Sequence, residues 1–161
     1  MKDYEELLIS LRRITRAIDL HSKKLQREAG LTTSQLLVIE SIEKLHNPTP
    51  SSIAREILLS QGTVTNLVDR MEKNGLVKRE KSDSDKRSVR ISVTDEGRAR
   101  YTSAPDLLQA EFLTEFRKLQ SWERHQLIAS IQRVAAMMDA GDLDASPILT
   151  SGEIGTGDKS D

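Results

Sequence analysis

Directly after Gly75 the spacing of apolar residues changes from one every three or four positions to one every two. Before it, Val64, Leu67, Val68 and Met71 repeat with the period of a helix face. After it, Leu76 to Glu80 reads as a short strand, and Val89, Ile91 and Val93 alternate with Arg90 and Ser92 in a second. Between the two strands lies Lys81-Ser82-Asp83-Ser84-Asp85-Lys86-Arg87, which contains no apolar residue. A single hairpin with a polar tip, set into an otherwise helical pattern, predicts a mainly α fold with a small β-wing.

The helices announce themselves by their ends. Residues 4–29 form one long amphipathic segment in which Tyr4, Leu11, Ile18 and Leu25 recur every seven positions, with Leu7, Ile14 and His21 filling a second register, and Gly30 stops it. Thr32-Thr33-Ser34-Gln35 is a capping box opening a helix that carries Leu36, Leu37, Ile39, Ile42 and Leu45 and ends near His46-Asn47-Pro48. Thr49-Pro50 restarts the chain with a hydroxyl cap and a proline at the first helical position. The third helix is short and is expected to turn Ile53, Ala54, Ile57 and Leu58 inward. Ser60 caps a fourth, closed by Asn74-Gly75. Thr94-Asp95-Glu96 opens a helix running to about Leu119 and bent near Pro105, and Ser121 caps a last one faced by Leu127, Ile131, Val134 or Ala135, and Met138.

Composition narrows the chemistry. The 161 residues amount to about one domain, and the absence of cysteine excludes disulfides, thiolate metal sites and thiol redox switches. His21, His46 and His125 lie far apart without metal-ligand spacing. No nucleophile–base pair, carboxylate dyad or glycine-rich phosphate loop appears, so the chain is read as a non-enzyme that calls for no metal or cofactor. Nothing resembles a signal peptide or a membrane span, and a cytoplasmic address is expected. The net charge of −1 hides an asymmetry: residues 141–161 hold five acids against Lys159, leaving residues 1–140 with 23 basic and 20 acidic groups. Residues 78–90 alone carry six basic and three acidic groups, a local surplus that favours a polyanion.

A capped short helix, a tight turn, a second capped helix and a hairpin with a polar loop make a winged helix-turn-helix. The major groove of duplex DNA accepts one α-helix, whose first turn and outward face present donors to base edges. On the helix from Gln61 to Asn74 the positions facing away from the apolar stripe include Gln61, Gly62, Thr63, Thr65, Asn66 and Arg70. Gln and Asn can pair bidentately with adenine, Thr can touch a thymine methyl or a phosphate, and Gly62 allows close approach of the backbone. Arg87, near the base of the loop, is placed to enter a narrow minor groove.

The run Ser60-Gln61-Gly62-Thr63-Val64-Thr65-Asn66-Leu67-Val68-Asp69-Arg70-Met71-Glu72-Lys73-Asn74-Gly75-Leu76-Val77, followed by Asp85-Lys86-Arg87-Ser88-Val89-Arg90-Ile91 and Val93-Thr94-Asp95-Glu96-Gly97, resembles the MarR family of bacterial transcriptional regulators. The resemblance covers nearly all of residues 4–139. It implies one MarR-like domain over 1–140: a winged-helix lobe at about 32–94, and dimerisation helices at about 4–29 and 95–140 that interleave in a homodimer. Residues 141–161 are expected to form a disordered acidic tail. It also implies wings that straddle the minor groove of an inverted-repeat operator, and repression relieved by a small-molecule effector. Thr63, Thr65 and Arg70 fall at base- or phosphate-contacting places, while Asp85 and Arg87 match the wing's Asp-x-Arg. Asn66 departs from the basic residue common at its position, and the missing cysteines exclude the peroxide-sensing branch. Arg16 to Leu25 with Gln35-Leu36-Leu37-Val38 looks like members that control compatible-solute genes.

The full set of expected DNA contacts is Ser51, Ser60, Gln61, Gly62, Thr63, Thr65, Asn66, Arg70, Lys81, Asp85, Lys86 and Arg87. Several admit a plainer role. Asp85 is read as a brace for Arg87, Arg70 as either a phosphate contact or half of an internal ion pair, and Ser51 and Ser52 as phosphate donors or exposed caps. His21 and Leu25 are the candidate effector contacts, His21 alternatively being a packed interface histidine and Trp122 a dimer anchor. The rival function is a winged-helix protein–protein adaptor without sequence-specific DNA binding.

Overall fold

A computed structural model describes residues 2–85, 87–141 and 147–151. In chain order its elements are α1 (Asp3–Ala29), α2 (Thr33–Leu45), α3 (Pro50–Ile57), α4 (Gln61–Lys73), β1 (Val77–Lys81), β2 (Val89–Val93), α5 (Asp95–Ser103), α6 (Leu108–Lys118) and α7 (Ser121–Met137). The fold is mostly helical with one two-stranded antiparallel sheet, as the change of period predicts. The described residues divide into two compact units, one within 2–105 together with 149–151, the other within 106–148.

In the first unit, caps set the helix boundaries. Gly30 ends α1 in the left-handed region (φ 63). The Thr32 hydroxyl accepts the Gln35 amide while the Gln35 side chain accepts the Thr32 amide. Thr49, Ser60 and Thr94 cap α3, α4 and α5 in the same local way. Ile39, Ile53, Val64, Val68, Met71, Leu76 and Ile91 meet in a core with almost no solvent exposure. β1 and β2 pair in the register Val77↔Val93 to Lys81↔Val89, and the Ile91 amide bonds the carbonyl of Pro48, tying the sheet to the turn before α3.

Gly97 lies where the first turn of α5 packs on the turn between α4 and β1. A Cβ there would sit 2.1 Å from the Leu76 carbonyl oxygen and 2.9 Å from Val93 Cγ1. The same contact is held by the Thr94 hydroxyl, which donates to the Gly75 carbonyl, and by the Thr94 amide on Leu76 O. Only a residue without a side chain fits.

Four expectations need correction. The helix expected from Thr94 to Leu119 is two helices, because Pro105 drives Ala104 into an extended conformation (φ −72, ψ 140) and α5 ends there. Leu58 does not pack inward: α3 stops at Ile57, Leu58 turns left-handed (φ 56) with 68% exposure, and Leu59 takes the core position. β1 is shifted one residue along, so Lys81 belongs to the strand. Finally, α7 is capped by Gln120, whose box partner is Glu123, leaving Ser121 as its first helical residue.

The long α1 is covered only towards its C-terminal end. Leu25 and Ala29 are its buried residues, whereas Tyr4, Leu7, Ile14 and Leu20 are exposed. In the second unit Phe112 and Phe116 stack with ring centres 5.4 Å apart, and α7 has no buried residue: Trp122, Leu127, Ile131 and Met138 are all exposed. Of the expected acidic tail, residues 142–146 and 152–161 lie outside the described residues. Residues 147–151 have no regular secondary structure. No helix among the described residues is long and apolar enough to cross a membrane.

Candidate nucleic-acid interface

α4 buries Val64, Leu67, Val68 and Met71 and turns a polar face outward. Ser60, Gln61, Gly62 and Asn66 are exposed on it, with Thr63, Thr65 and Arg70 half-buried. Their chemistry is not equivalent. The Thr63 hydroxyl lies 2.8 Å from the Ser60 hydroxyl, and Thr65 Oγ1 donates back to the Gln61 carbonyl at 2.8 Å. Both threonines therefore have part of their hydrogen-bonding capacity committed to the first turn. Among the described residues nothing bonds the side-chain amides of Gln61 or Asn66, which keep two donors and an acceptor each for an outside partner. Gly62 is a glycine for which the fold supplies no reason: a Cβ there would meet nothing within 4 Å.

Among the described residues Arg70 is not half of an ion pair. Its neighbour Asp69 pairs instead with Arg79, which also takes Glu72, and Arg70 Nη1 is buried with no hydrogen-bond partner among the described residues. Arg79 is a functional group that reading by pattern overlooked. Its guanidinium reaches Glu72 Oε2 at 3.0 Å while its backbone amide bonds Glu72 Oε1 at 3.0 Å, so β1 is fastened to α4 through both main chain and side chain. The signal was present: Asp69 and Glu72 stand three apart on one helix edge, and Arg79 shares a strand face with buried Val77.

The wing loop is closed by its own polar groups. Asp85 Oδ1 accepts the Arg87 amide at 3.0 Å, the Ser88 amide bonds Asp85 O, and the Ser82 amide bonds Ser88 O. Asp85 is thus a brace, and it acts on the backbone of Arg87 rather than on its guanidinium. The Arg87 side chain is exposed, and among the described residues no carboxylate pairs with it. Lys81 is exposed at the end of β1; Lys86 lies outside the described residues. At the start of α3 the half-buried Ser51 hydroxyl is 3.1 Å from the Thr49 hydroxyl. Away from this face, His21 is half-buried on α1 and Leu25, one turn on, is fully buried as a core side chain.

Comparison with known proteins agrees with this geometry. The model of the MarR family matches residues 31–89, from the residue before the α2 cap to the first residue of β2. The transcriptional regulator MgrA of Staphylococcus aureus is 34% identical over 107 residues, covering 66% of this chain and 71% of MgrA. The chain belongs to the MarR family. The organic hydroperoxide resistance transcriptional regulator of Bacillus subtilis is 30% identical over the same length and is covered to 73%. Among solved structures, YusO of B. subtilis superposes with a TM-score of 0.53 at 24% identity, covering 83% of this chain and 94% of YusO. MarR-family proteins are winged-helix transcriptional regulators, not enzymes, and the helix–turn–helix and hairpin described above are that fold.

Proposed function

We propose that the chain is a dimeric, sequence-specific repressor that binds an inverted-repeat operator, one α4 to each half-site and one wing to each flanking minor groove. The observation that carries this reading is the outward face of α4, where unpartnered amides and an unexplained glycine stand on a helix fastened to a basic wing. The contact set is the one read from the sequence: Ser51 and Arg70 towards phosphate, Ser60, Gln61, Gly62, Thr63, Thr65 and Asn66 towards the groove, and Lys81, Lys86 and Arg87 from the wing, with Asp85 as brace. Residues 1–140 work as one functional domain. The exposed apolar side chains of α1 and of α7 are closed by a second copy, since contiguous apolar surface on a soluble chain marks an interface, and pairs of half-sites then lie about 34–36 Å apart.

Regulation is proposed to follow from the same dimer. An effector that binds better to a form with wrongly spaced recognition helices lowers DNA affinity in proportion to that preference; His21 is the candidate contact on α1. The likeness of residues 16–25 to regulators of compatible-solute genes suggests those genes as targets, with DNA upstream of them as the probe. The test of the whole reading is selection of bound fragments from a random duplex pool, followed by titration across about 50–200 mM salt, where affinity should fall steeply as phosphate counterions are released. Arg87→Ala is expected to weaken the selected duplex by about 1–3 kcal/mol with an unchanged melting temperature. Equal affinity of the variant throughout the salt series removes the wing from the interface.

A further inference from the structure

Leu58 is placed where folding has no use for it. It occupies the left-handed region (φ 56, ψ 39), which a leucine adopts only under strain, and its side chain is 68% exposed. Its amide closes α3 on Ala54 O, a bond glycine makes equally well, and the core below is filled by Leu59, only 8% exposed. Among the described residues of α3, the turn and α4 it is the only exposed large apolar group. A strained residue that gains little from burial points to a contact outside the chain.

Its surroundings say what kind. Leu58 lines an open hollow of about 570 Å³ together with Ser51, Ala54, Arg55, Leu59 and Gln61. Ser51 and Gln61 stand in the first turns of α3 and α4, the two ends that a helix-turn-helix offers to a duplex, so the hollow opens on the face proposed for DNA. Arg55 is exposed and has no ion-pair partner among the described residues. A cation, a hydroxyl and an amide around one aliphatic group match the edge of a base pair beside its phosphate. The apolar feature that a base shows in the major groove is the thymine 5-methyl.

We infer that Leu58 is a specificity-determining residue that takes up a thymine 5-methyl group, with Arg55 on the adjacent phosphate. This rests on the DNA-binding reading above. The probe is the duplex selected by the wild-type protein from a random pool, with each thymine replaced singly by deoxyuridine, which removes only the methyl. Wild type should lose roughly four-fold in affinity at one thymine per half-site, the worth of one buried methyl group. Leu58→Gly and Leu58→Ala should bind the thymine and uracil forms of that site equally, and Arg55→Gln should keep the discrimination while flattening the salt dependence. Circular dichroism melting checks that each variant is folded, and Leu58→Gly keeps the left-handed turn if Leu58→Ala does not. A selected duplex with no methyl-sensitive thymine, a sensitivity that survives in Leu58→Gly, or DNA affinity indifferent to Leu58 overturns the inference while leaving the repressor reading intact. Failure to select any duplex removes both.

Discussion

Gly62→Ala separates the needs of the fold from the needs of DNA binding, because the two are expected to move in opposite directions. Glycine inside a helix is about 0.8–1.0 kcal/mol worse than alanine, and Gly62 is the second residue of α4, so about half to all of that difference applies. Nothing within 4 Å opposes the added methyl. The variant should gain about 0.5–1 kcal/mol of stability, a rise of roughly 1–4 °C in Tm for a chain of this size. On the proposed interface the same methyl stands between the first turn of α4 and the duplex. Displacing that approach should weaken binding at least about tenfold, or ~1.4 kcal/mol. Thermal melting and fluorescence anisotropy with the selected duplex measure both quantities on one preparation. A stabilised variant that binds as tightly as wild type refutes close approach at Gly62. A destabilised one refutes the open surroundings from which the gain was worked.

Three further outcomes follow from the geometry. Gly97→Ala should destabilise by about 2–3 kcal/mol, since the methyl meets the Leu76 carbonyl and backbone must move; a urea midpoint equal to wild type contradicts the tight contact. Burial raises the Glu40 carboxyl above its ordinary 4.5, so the folded chain holds that proton more tightly than the unfolded one. Its contribution to stability is complete below pH 4.5 and is lost as pH rises through the folded value. Glu40→Gln should therefore stabilise more at pH 7 than at pH 4, and melting curves at the two pH values check the sign. Arg79→Met leaves Asp69 and Glu72 without their shared cation; it should weaken duplex binding several-fold while lowering Tm by only a few degrees, the cluster being partly solvated. Loss of stability with unchanged affinity contradicts the bracing role.

What could be read from the sequence was local. Thr32 with Gln35, Thr49 with Pro50, Ser60 and Thr94 each carry their cap partner within three residues, so the starts of α2 to α5 follow from neighbours alone. The polar face of α4 follows from the same arithmetic, since fixing the buried stripe fixes its complement. Leu58 was misplaced because its left-handed turn carries no glycine to mark it; helix period alone continues α3 through it. Arg79 was missed because its partners lie seven and ten residues back on another element, a relation that no periodicity records. Which chain covers α1 and α7 is likewise a question of surfaces and not of spacing.

The fastening of β1 to α4 by Arg79 has a mechanical corollary. The fastening joins α4 and β1 into one body, so on the proposed interface helix and wing would enter and leave a duplex together. On the proposed dimer, a releasing signal would then act by separating or rotating whole reading heads, with the grip on DNA lost one half-site at a time.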